Sequence, residues 1–313
     1  MKPAPQTLRI HVTFRRNSFQ KRAKDNRQQT GFLIGWKKFP HMNNLPTEKK
    51  ILAVFMLCEN SSIRAVERMT GVHRDTIMRL GVRMGTGCKT ILDDKMRGLS
   101  SERIEIDEMW GFIGMKQKQA DKKGLTNCGH IWTWIALDAD SKAVPSFVTG
   151  SRSPEMAQEF ISDLAPRLTK KVQITTDGLP TYRTAIAQAF EGNVNYGSLV
   201  KTYTEPAPNQ KMQYSAFIEA YKTAICGSPD LSLMSTSYIE KQNHTVRMHV
   251  RRLSRLTNAF SKKRENFDAA VALHFAYYNF IKVHGTVKTA PAVAAGVENS
   301  PWTVARLVEM IEG

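Results

Sequence analysis

Apolar residues at helical spacing run through residues 46–97 and predict three helices. The first has Thr47 as its cap and continues to Cys58. The second, "NSSIRAVERMTG", ends at Gly71, and "VHRDTIMRLGVRMG" forms the third. The short Thr-Gly-Val turn between the last two is typical of a helix-turn-helix. An ordinary three-helix packing unit with one exposed basic helix fits the same pattern.

From residue 99 onward, alternating apolar and polar positions predict strands instead. They are "RIEIDEMWGFIGM", a hairpin "HIWTWIALDADSKAVPSFVTG" that turns at residues 138–142, "KVQITTDG" and "NVNYGSLVKTY". Helices are predicted in "SPEMAQEFISDLAPRL", capped by Ser153 with Pro154 behind it, and in "LPTYRTAIAQAF". A polar insert near 204–234 and two more helices follow. This order predicts an α/β fold, a mixed sheet with helices on both faces.

The chain therefore divides into four predicted parts. Residues 1–41 are a basic arm without periodicity, which we expect to be disordered. The stretch "MNNLPTEKK" from Met42 also resembles a natural start, so the arm is either functional or foreign to the working protein. Residues 42–98 form the helix-turn-helix domain, residues 99–297 the α/β domain, and residues 298–313 a C-terminal helix.

The net charge of +17 over 313 residues predicts a polyanionic partner, with nucleic acid ahead of an anionic membrane. Ten Lys and Arg against Asp25 give the arm +9, which leaves +8 for the other residues. The four cysteines form no CxxC pair, which argues against a disulfide framework and a thiolate zinc site. A reducing cytoplasm is the simplest location. No apolar run approaches the length of a membrane span.

Three carboxylates stand where the predicted elements place ligand sites. Asp107 lies inside the first strand, Asp177 ends a buried strand, and Glu240 lies in the first turns of a later helix. Each has an ordinary alternative: an outward strand residue, a helix cap and a surface ion pair, respectively. Together they form an oxygen-rich cluster that suits two Mg²⁺ or Mn²⁺ ions and phosphodiester chemistry. Glu108 should point to the opposite face of the strand and be structural or peripheral.

Two sets of polar residues are candidates for DNA contact. The third helix would enter the major groove with Arg74 and Arg79 near its leading end. On the Glu240 helix, residues at offsets of three, seven and eleven share one broad face with the carboxylate and would follow the DNA backbone. These are Asn243, Arg247 and Arg251.

Four motifs in this order resemble a known family: "IDEMWGFIGMK", "ITTDGLPTY", "STSYIEKQNHTVRMHVRRLSRLTNAFSKK" and "AYYNFIKVHGTVKTAPAVAAG". Over about residues 42–297, the chain resembles a DDE transposase, most closely those of the bacterial insertion-sequence-one family. The resemblance implies a ribonuclease-H-like catalytic domain with a Mg²⁺-dependent triad, carried here by Asp107, Asp177 and Glu240. The basic residue seven positions after the glutamate is Arg247.

One departure from the family concerns the DNA ends. Relatives often carry a cysteine-rich zinc finger before the helix-turn-helix, and this chain has none. Either the basic arm replaces this zinc finger, or the chain recognises the DNA ends in a different way from these relatives.

The function predicted from these residues is that of an insertion-sequence transposase. It would bind terminal inverted repeats, hydrolyse the phosphodiester at the element ends and transfer the 3′-OH into target DNA. We expect it to act on double-stranded DNA as a homo-oligomer, in the bacterial cytoplasm at the nucleoid and away from membranes. Two alternatives stay open: a sequence-specific DNA-binding regulator with a non-catalytic nuclease fold, and a structure-selective nuclease without strand transfer.

Overall fold

A computed structural model of the chain describes residues 45–204, 217–254 and 258–313. The predicted basic arm, residues 1–41, lies outside the described residues, and so do residues 205–216 of the predicted insert. The described residues from Leu45 to Gly313 form one compact unit. The predicted boundary between a helix-turn-helix domain and an α/β domain stays a prediction.

The three N-terminal helices form as the spacing predicts. They are α1 (Thr47–Cys58), α2 (Ile63–Thr70) and α3 (Arg74–Lys95). The Ser62 hydroxyl caps α2 by accepting the Ala65 N–H at 3.2 Å, and Gly71 ends it with a positive φ of 69°. The predicted cap of α1 is wrong: Thr47 is its first residue, and Pro46 precedes it without a side-chain hydrogen bond.

The sheet has six strands in the order β3-β2-β1-β4-β5-β6. They are β1 (Arg103–Ile113), β2 (Gly129–Asp138), β3 (Ser146–Gly150), β4 (Val172–Thr176), β5 (Val194–Tyr203) and β6 (Phe217–Cys226). The first three form an antiparallel meander, whereas β4 and β5 run parallel to β1. The predicted α/β fold with a mixed sheet is confirmed, and this sheet agrees with the ribonuclease-H-like fold that the resemblance implies. The sixth strand is a difference: it lies in the predicted polar insert and pairs antiparallel with β5.

Helices cover both faces of the sheet. On one face, α5 (Pro154–Leu164) and α6 (Thr181–Phe190) bury a core with Ile104 and Ile106 of β1. On the other face, α7 (Ser237–His249) and α8 (Arg264–Ala276) pack over Met109 and Ile113. The predicted cap of α5 is confirmed, because Ser153 accepts the Met156 N–H. Alternate residues of β1 therefore serve two different cores.

The N-terminal helices share the second of these cores rather than forming one of their own. Buried residues of α1 and α3 belong to the same apolar cluster as those of β2, α7 and α8. Helices α3 and α8 approach each other closely, because a Cβ on Gly85 would lie 2.1 Å from the carbonyl oxygen of Ala269. Only glycine allows this spacing, so α3 is packed directly against the helices of the α/β part.

Three shorter helices complete the described part of the chain: α4 (Gln117–Lys122), α9 (Pro291–Ala294) and α10 (Val304–Glu312). The last lies in the predicted C-terminal helix and joins the N-terminal helices through Glu312, which pairs with Lys50 at 2.7 Å and with Arg83. Within the described residues, none of the helices combines the length and apolar composition that a membrane span requires.

Candidate active site

The parallel register of β1 and β4 brings the first two predicted carboxylates together. The last register pair is Ile106 opposite Thr176, so Asp107 and Asp177 occupy the next positions, where β4 ends. Asp177 is not a helix cap: its Oδ1 accepts the Leu179 N–H at 3.1 Å in a local turn, and α6 begins only at residue 181. Loops that follow parallel strands commonly hold ligands, and this loop places Asp177 beside β1.

Glu108 lies beside these two residues, so its predicted peripheral position is wrong, whereas a structural role, the other prediction for it, stays open. One carboxylate oxygen from each of Asp107, Glu108 and Asp177 lies within 4.8 Å of the others. The Glu108 side chain does point to the face opposite Asp107, toward α6, where Tyr182 donates a hydrogen bond to its Oε1. Arg152 donates from Nε to Oε2 at 3.1 Å. The carboxylates of Asp107 and Glu108 nevertheless lie close to each other, because β4 has already ended at this point of β1.

Burial gives two of these carboxyl groups unusual acidities. It raises the pKa of Asp107 to about 6; the Glu108 N–H opposes this shift, and the charges of Asp177 and Glu240 add to it. Burial raises the pKa of Glu108 to about 7, with the Tyr182 hydrogen bond opposing and the neighbouring aspartates contributing. Both groups lie where burial penalises a negative charge, and a bound cation would reduce that penalty.

Glu240 lies in the first turn of α7, and its charge acts on Asp107. Its carboxylate is outside the group of three described above. Instead, Oε1 accepts hydrogen bonds from Lys201 Nζ at 2.5 Å and from the Thr236 hydroxyl at 2.8 Å. Its place in the triad stays a prediction.

Two carboxylates on the same face of β1 hold α7 in place. Glu105 Oε2 accepts the Ile239 N–H at 2.9 Å, at the N-terminal end of the helix, where unpaired N–H groups favour an anion. Two residues on, Asp107 Oδ2 accepts a hydrogen bond from Asn243 Nδ2 at 2.8 Å. Sequence reasoning missed Glu105, although the alternation that puts it on the face of Asp107 was visible.

Two of the predicted DNA-contacting residues are bonded to the protein itself. Asn243 supports Asp107, as described above. The guanidinium of Arg247 donates to the carbonyl oxygens of Leu253 and Trp110, each at 3.0 Å. These contacts give both side chains a structural role that the sequence did not predict. DNA contact by either residue stays a prediction.

The other predicted DNA-contacting residues are exposed, and two of them line the same groove. Arg74 and Arg79 lie on the first turns of α3, and Arg251 follows α7. Arg79 and Arg251 line the same groove of about 1310 Å³, between α3 and the segment that joins α7 to α8. Its other charged side chains are mostly basic: Arg64, Arg83, Arg252, Lys262 and Lys263, against Asp75 and Glu265. The groove therefore suits a polyanion.

The acidic cluster fits the metal that the resemblance implies. Its donors are carboxylate oxygens, the ligands that Mg²⁺ and Mn²⁺ prefer, and no thiol or imidazole belongs to the group of three. Asp107 and Asp177 would be the first ligands, with Glu240 completing the set. The number of ions and their identity stay predictions.

The raised pKa values predict that the metal-free protein loses stability as the pH rises from about 4 to 7. Asp107 and Glu108 hold their protons in the folded state up to pH about 6 and about 7, against ordinary values of 3.8 and 4.5. Over that interval the unfolded chain binds fewer protons, so the free energy of unfolding falls, by on the order of a few kcal/mol in all. Urea unfolding at several pH values measures this slope. Asp107→Asn should make it shallower, and an unchanged slope would assign it to other groups.

Sequence comparison points to one group of proteins. No protein-family model matches the chain. Over 167 residues it is 26% identical to the insertion element IS1 2 protein InsB of Escherichia coli (strain K12), covering 53% of this chain and 70% of that protein. The insertion element IS1 protein InsB of Shigella sonnei is also 26% identical over 167 residues, covering 53% of this chain and 88% of that protein.

Among solved structures, a piggyBac transposase in a synaptic complex with hairpin DNA matches 88% of this chain and 73% of its own. The TM-score is 0.40 and the identity 10%, too weak a likeness to bear on function. The matches to the insertion-element proteins confirm what the four motifs predicted: this chain resembles the transposases of the insertion-sequence-one family.

Proposed function

We propose that this chain is the transposase of an insertion sequence. It binds the inverted repeats at the ends of its element, hydrolyses a phosphodiester there and joins the freed 3′-OH to target DNA. The observation that carries the proposal is the closeness of Asp107, inside β1, to Asp177, which directly follows the end of the parallel strand β4, in a chain of net charge +17 that resembles insertion-element proteins.

Each part of the site has a role in this proposal. Asp107 and Asp177 would hold divalent ions, with Glu240 as their third ligand. Such ions supply activation of the attacking oxygen and stabilisation of the leaving oxygen. Glu105 and Asn243 keep α7 against β1, so that Glu240 stays within reach of Asp107. We place this activity in the bacterial cytoplasm, with a homo-oligomer of the chain acting on double-stranded DNA.

The proposed path of the DNA runs through the groove lined by Arg79 and Arg251. Arg79 belongs to α3, whose leading end would read base edges, while Arg251 follows the helix that carries Glu240. A duplex in this groove would thus contact both the recognition helix and the C-terminal end of the helix whose first turn carries Glu240.

A joining assay tests the whole proposal. The substrates are labelled duplexes with an element end, either still joined to flanking DNA or ending in a free 3′-OH, mixed with plasmid target and Mg²⁺. Transfer of label to the plasmid is expected. Cleavage without transfer would favour a structure-selective nuclease, and end binding without either reaction would favour a regulator with an inactive nuclease fold.

For the groove, Arg251→Ala should weaken binding to all duplexes and lower the log–log salt slope by about 0.9, the share of one phosphate contact. Arg79→Ala should instead reduce the preference for element ends by roughly 1–3 kcal/mol, as expected for a lost base-edge contact. Gel shifts at several salt concentrations, with element-end and random duplexes, measure both quantities.

Arg97→Ala is the matched control for these variants, because Arg97 is also exposed but pairs with Asp93 away from the groove. It should bind both duplexes as the wild type does. If Arg79→Ala and Arg251→Ala behave like this control, the DNA does not follow the groove.

A further inference from the structure

Arg152 is fixed beside the acidic cluster by the chain on both sides of it. It lies between the end of β3 at Gly150 and the Ser153 cap of α5. The preceding residue, Ser151, accepts a hydrogen bond from the buried Trp134 indole at 3.1 Å. The backbone on both sides of Arg152 is therefore held to β2 and to α5.

The Arg152 head group contacts two members of the cluster. Its Nε and one terminal nitrogen each lie 3.1 Å from Glu108 Oε2, and the same terminal nitrogen lies 3.9 Å from Asp177 Oδ2. The guanidinium also stacks over the Trp132 ring, 4.8 Å from its centre. This packing favours one orientation of the head group even though the side chain is 38% exposed.

Both oxygens of Glu108 are thereby bonded to the protein. Tyr182 donates to Oε1 and Arg152 to Oε2, and the Glu108 side chain is only 1% exposed. A carboxylate bonded in this way is not offered to a metal ion, although its oxygen lies within 4.8 Å of those of Asp107 and Asp177. Glu108 instead holds the positively charged guanidinium of Arg152 beside the cluster.

We propose that Arg152 is a built-in counter-cation of the acidic cluster, which keeps Glu108 out of metal coordination and sets how tightly Asp107 and Asp177 bind a divalent ion. This inference rests on the metal-dependent function proposed above. A positive charge 3.9 Å from a ligand oxygen repels a doubly charged ion on that oxygen. It also lowers the negative charge that an approaching DNA phosphate meets.

Charge counting gives distinct expectations for four forms of the protein. With all three carboxyl groups ionised, as at a pH of about 8 or above, Asp107, Glu108 and Asp177 carry −3 and Arg152 carries +1, so the wild-type group has −2. The Arg152→Met variant has a summed charge of −3 and frees Glu108. The Glu108→Gln variant has a summed charge of −1, and the double variant has −2, as the wild type does. Mn²⁺ affinity should follow this order because the ion responds to the summed nearby charge.

Calorimetric titration of the DNA-free, full-length protein with Mn²⁺ measures these affinities without any reaction. We expect Arg152→Met to bind Mn²⁺ roughly tenfold more tightly than the wild type, and Glu108→Gln to bind it several-fold more weakly. The double variant should lie within about twofold of the wild type. Arg97→Met, which removes an ion pair with Asp93, is the control and should leave the affinity unchanged.

A purely structural Arg152 would give a different pattern. Arg152→Met would then melt at a lower temperature and bind Mn²⁺ with equal or lower affinity, and the double variant would not restore the wild-type value; that result overturns the inference. If Arg152→Met does not fold, Arg152→Lys and Glu108→Gln decide it: near wild-type affinity for the first and weaker binding for the second support the inference, and equal affinity in both overturns it. Failure of the wild type to bind Mn²⁺ would overturn the metal-dependent function as well.

Discussion

Asp177→Asn is expected to abolish Mg²⁺-dependent cleavage and joining while leaving the affinity for element ends within about twofold. The amide cannot supply the negative oxygen that a divalent ion needs, and loss of several kcal/mol of transition-state stabilisation is on the order of a thousandfold or more in rate. Binding survives because it depends on Lys and Arg contacts to phosphates. Asp107→Asn and Glu240→Gln should have the same effect. Cleavage of a labelled element end and gel-shift affinity are measured on the same preparations.

Asp121→Asn is the control for this series, since Asp121 is an exposed carboxylate on α4 whose only described side-chain bond is with Gln117. It should cleave and join like the wild type. Near wild-type cleavage by Asp177→Asn would remove the cluster from catalysis. If only Glu240→Gln retained activity, the third ligand would be another residue, and the Lys201–Glu240 pair would be structural.

Gly85→Ala is expected to destabilise the fold more than any other single methyl addition on α3. The new Cβ would lie 2.1 Å from the Ala269 carbonyl oxygen, and this neighbour is backbone rather than a side chain that can rotate away. The helices would have to separate, at a cost of about 3 kcal/mol or more. The free energy of unfolding, measured in urea, reports this loss directly.

Gly81, one turn earlier on the same helix, is a matched control. A Cβ there would lie 3.6 Å from Leu57 Cδ1, an ordinary contact. Gly81→Ala should therefore be neutral or stabilising by up to about 1 kcal/mol, because alanine favours a helix over glycine. Equal stability of the two variants would show that α3 and α8 do not pack as closely as described.

Much of the sheet and of the site can be predicted from the sequence, because both follow from the periodicity of apolar and polar residues. Alternation along β1 and the buried run of β4 located Asp107 and Asp177 on elements that a parallel register then joins. The closeness of Glu108 to the two aspartates was not predicted, because alternation shows on which face of β1 a side chain lies but not where the neighbouring strand ends. Where β4 stops, side chains on both faces of β1 can turn toward the same space.

Strand β6 could not be found by the same reasoning. A strand buried on one face alternates apolar and polar residues, but β6 is exposed on nearly all of its length, with Phe217 and Ile218 each 59% exposed. Such an edge strand has no core to impose a pattern. Its pairing with β5 comes from backbone hydrogen bonds, which side-chain identities do not reveal.

The face of α7 was predicted, but the partners of its side chains were not. Asn243 and Arg247 do lie on the side of the helix that looks toward β1, as their spacing from Glu240 indicates. The groups that receive their hydrogen bonds are an aspartate oxygen and two carbonyl oxygens. Carbonyl acceptors are the same for every residue type, so a sequence cannot show where an arginine will find them.

The close contact of Gly85 with α8 has a consequence for how the element end is measured. Helix α3 has 22 residues, a rigid rod of about 33 Å, with its leading end exposed and its middle locked against the α/β part. If α3 reads the terminal repeat, it cannot swivel independently of Asp107. The protein then acts as a fixed ruler: each base pair inserted between the recognised sequence and the cleaved bond shifts that bond by 3.4 Å and turns it by roughly a tenth of a helical turn. The distance between the recognised sequence and the cleaved bond is thereby as constrained as the base sequence itself.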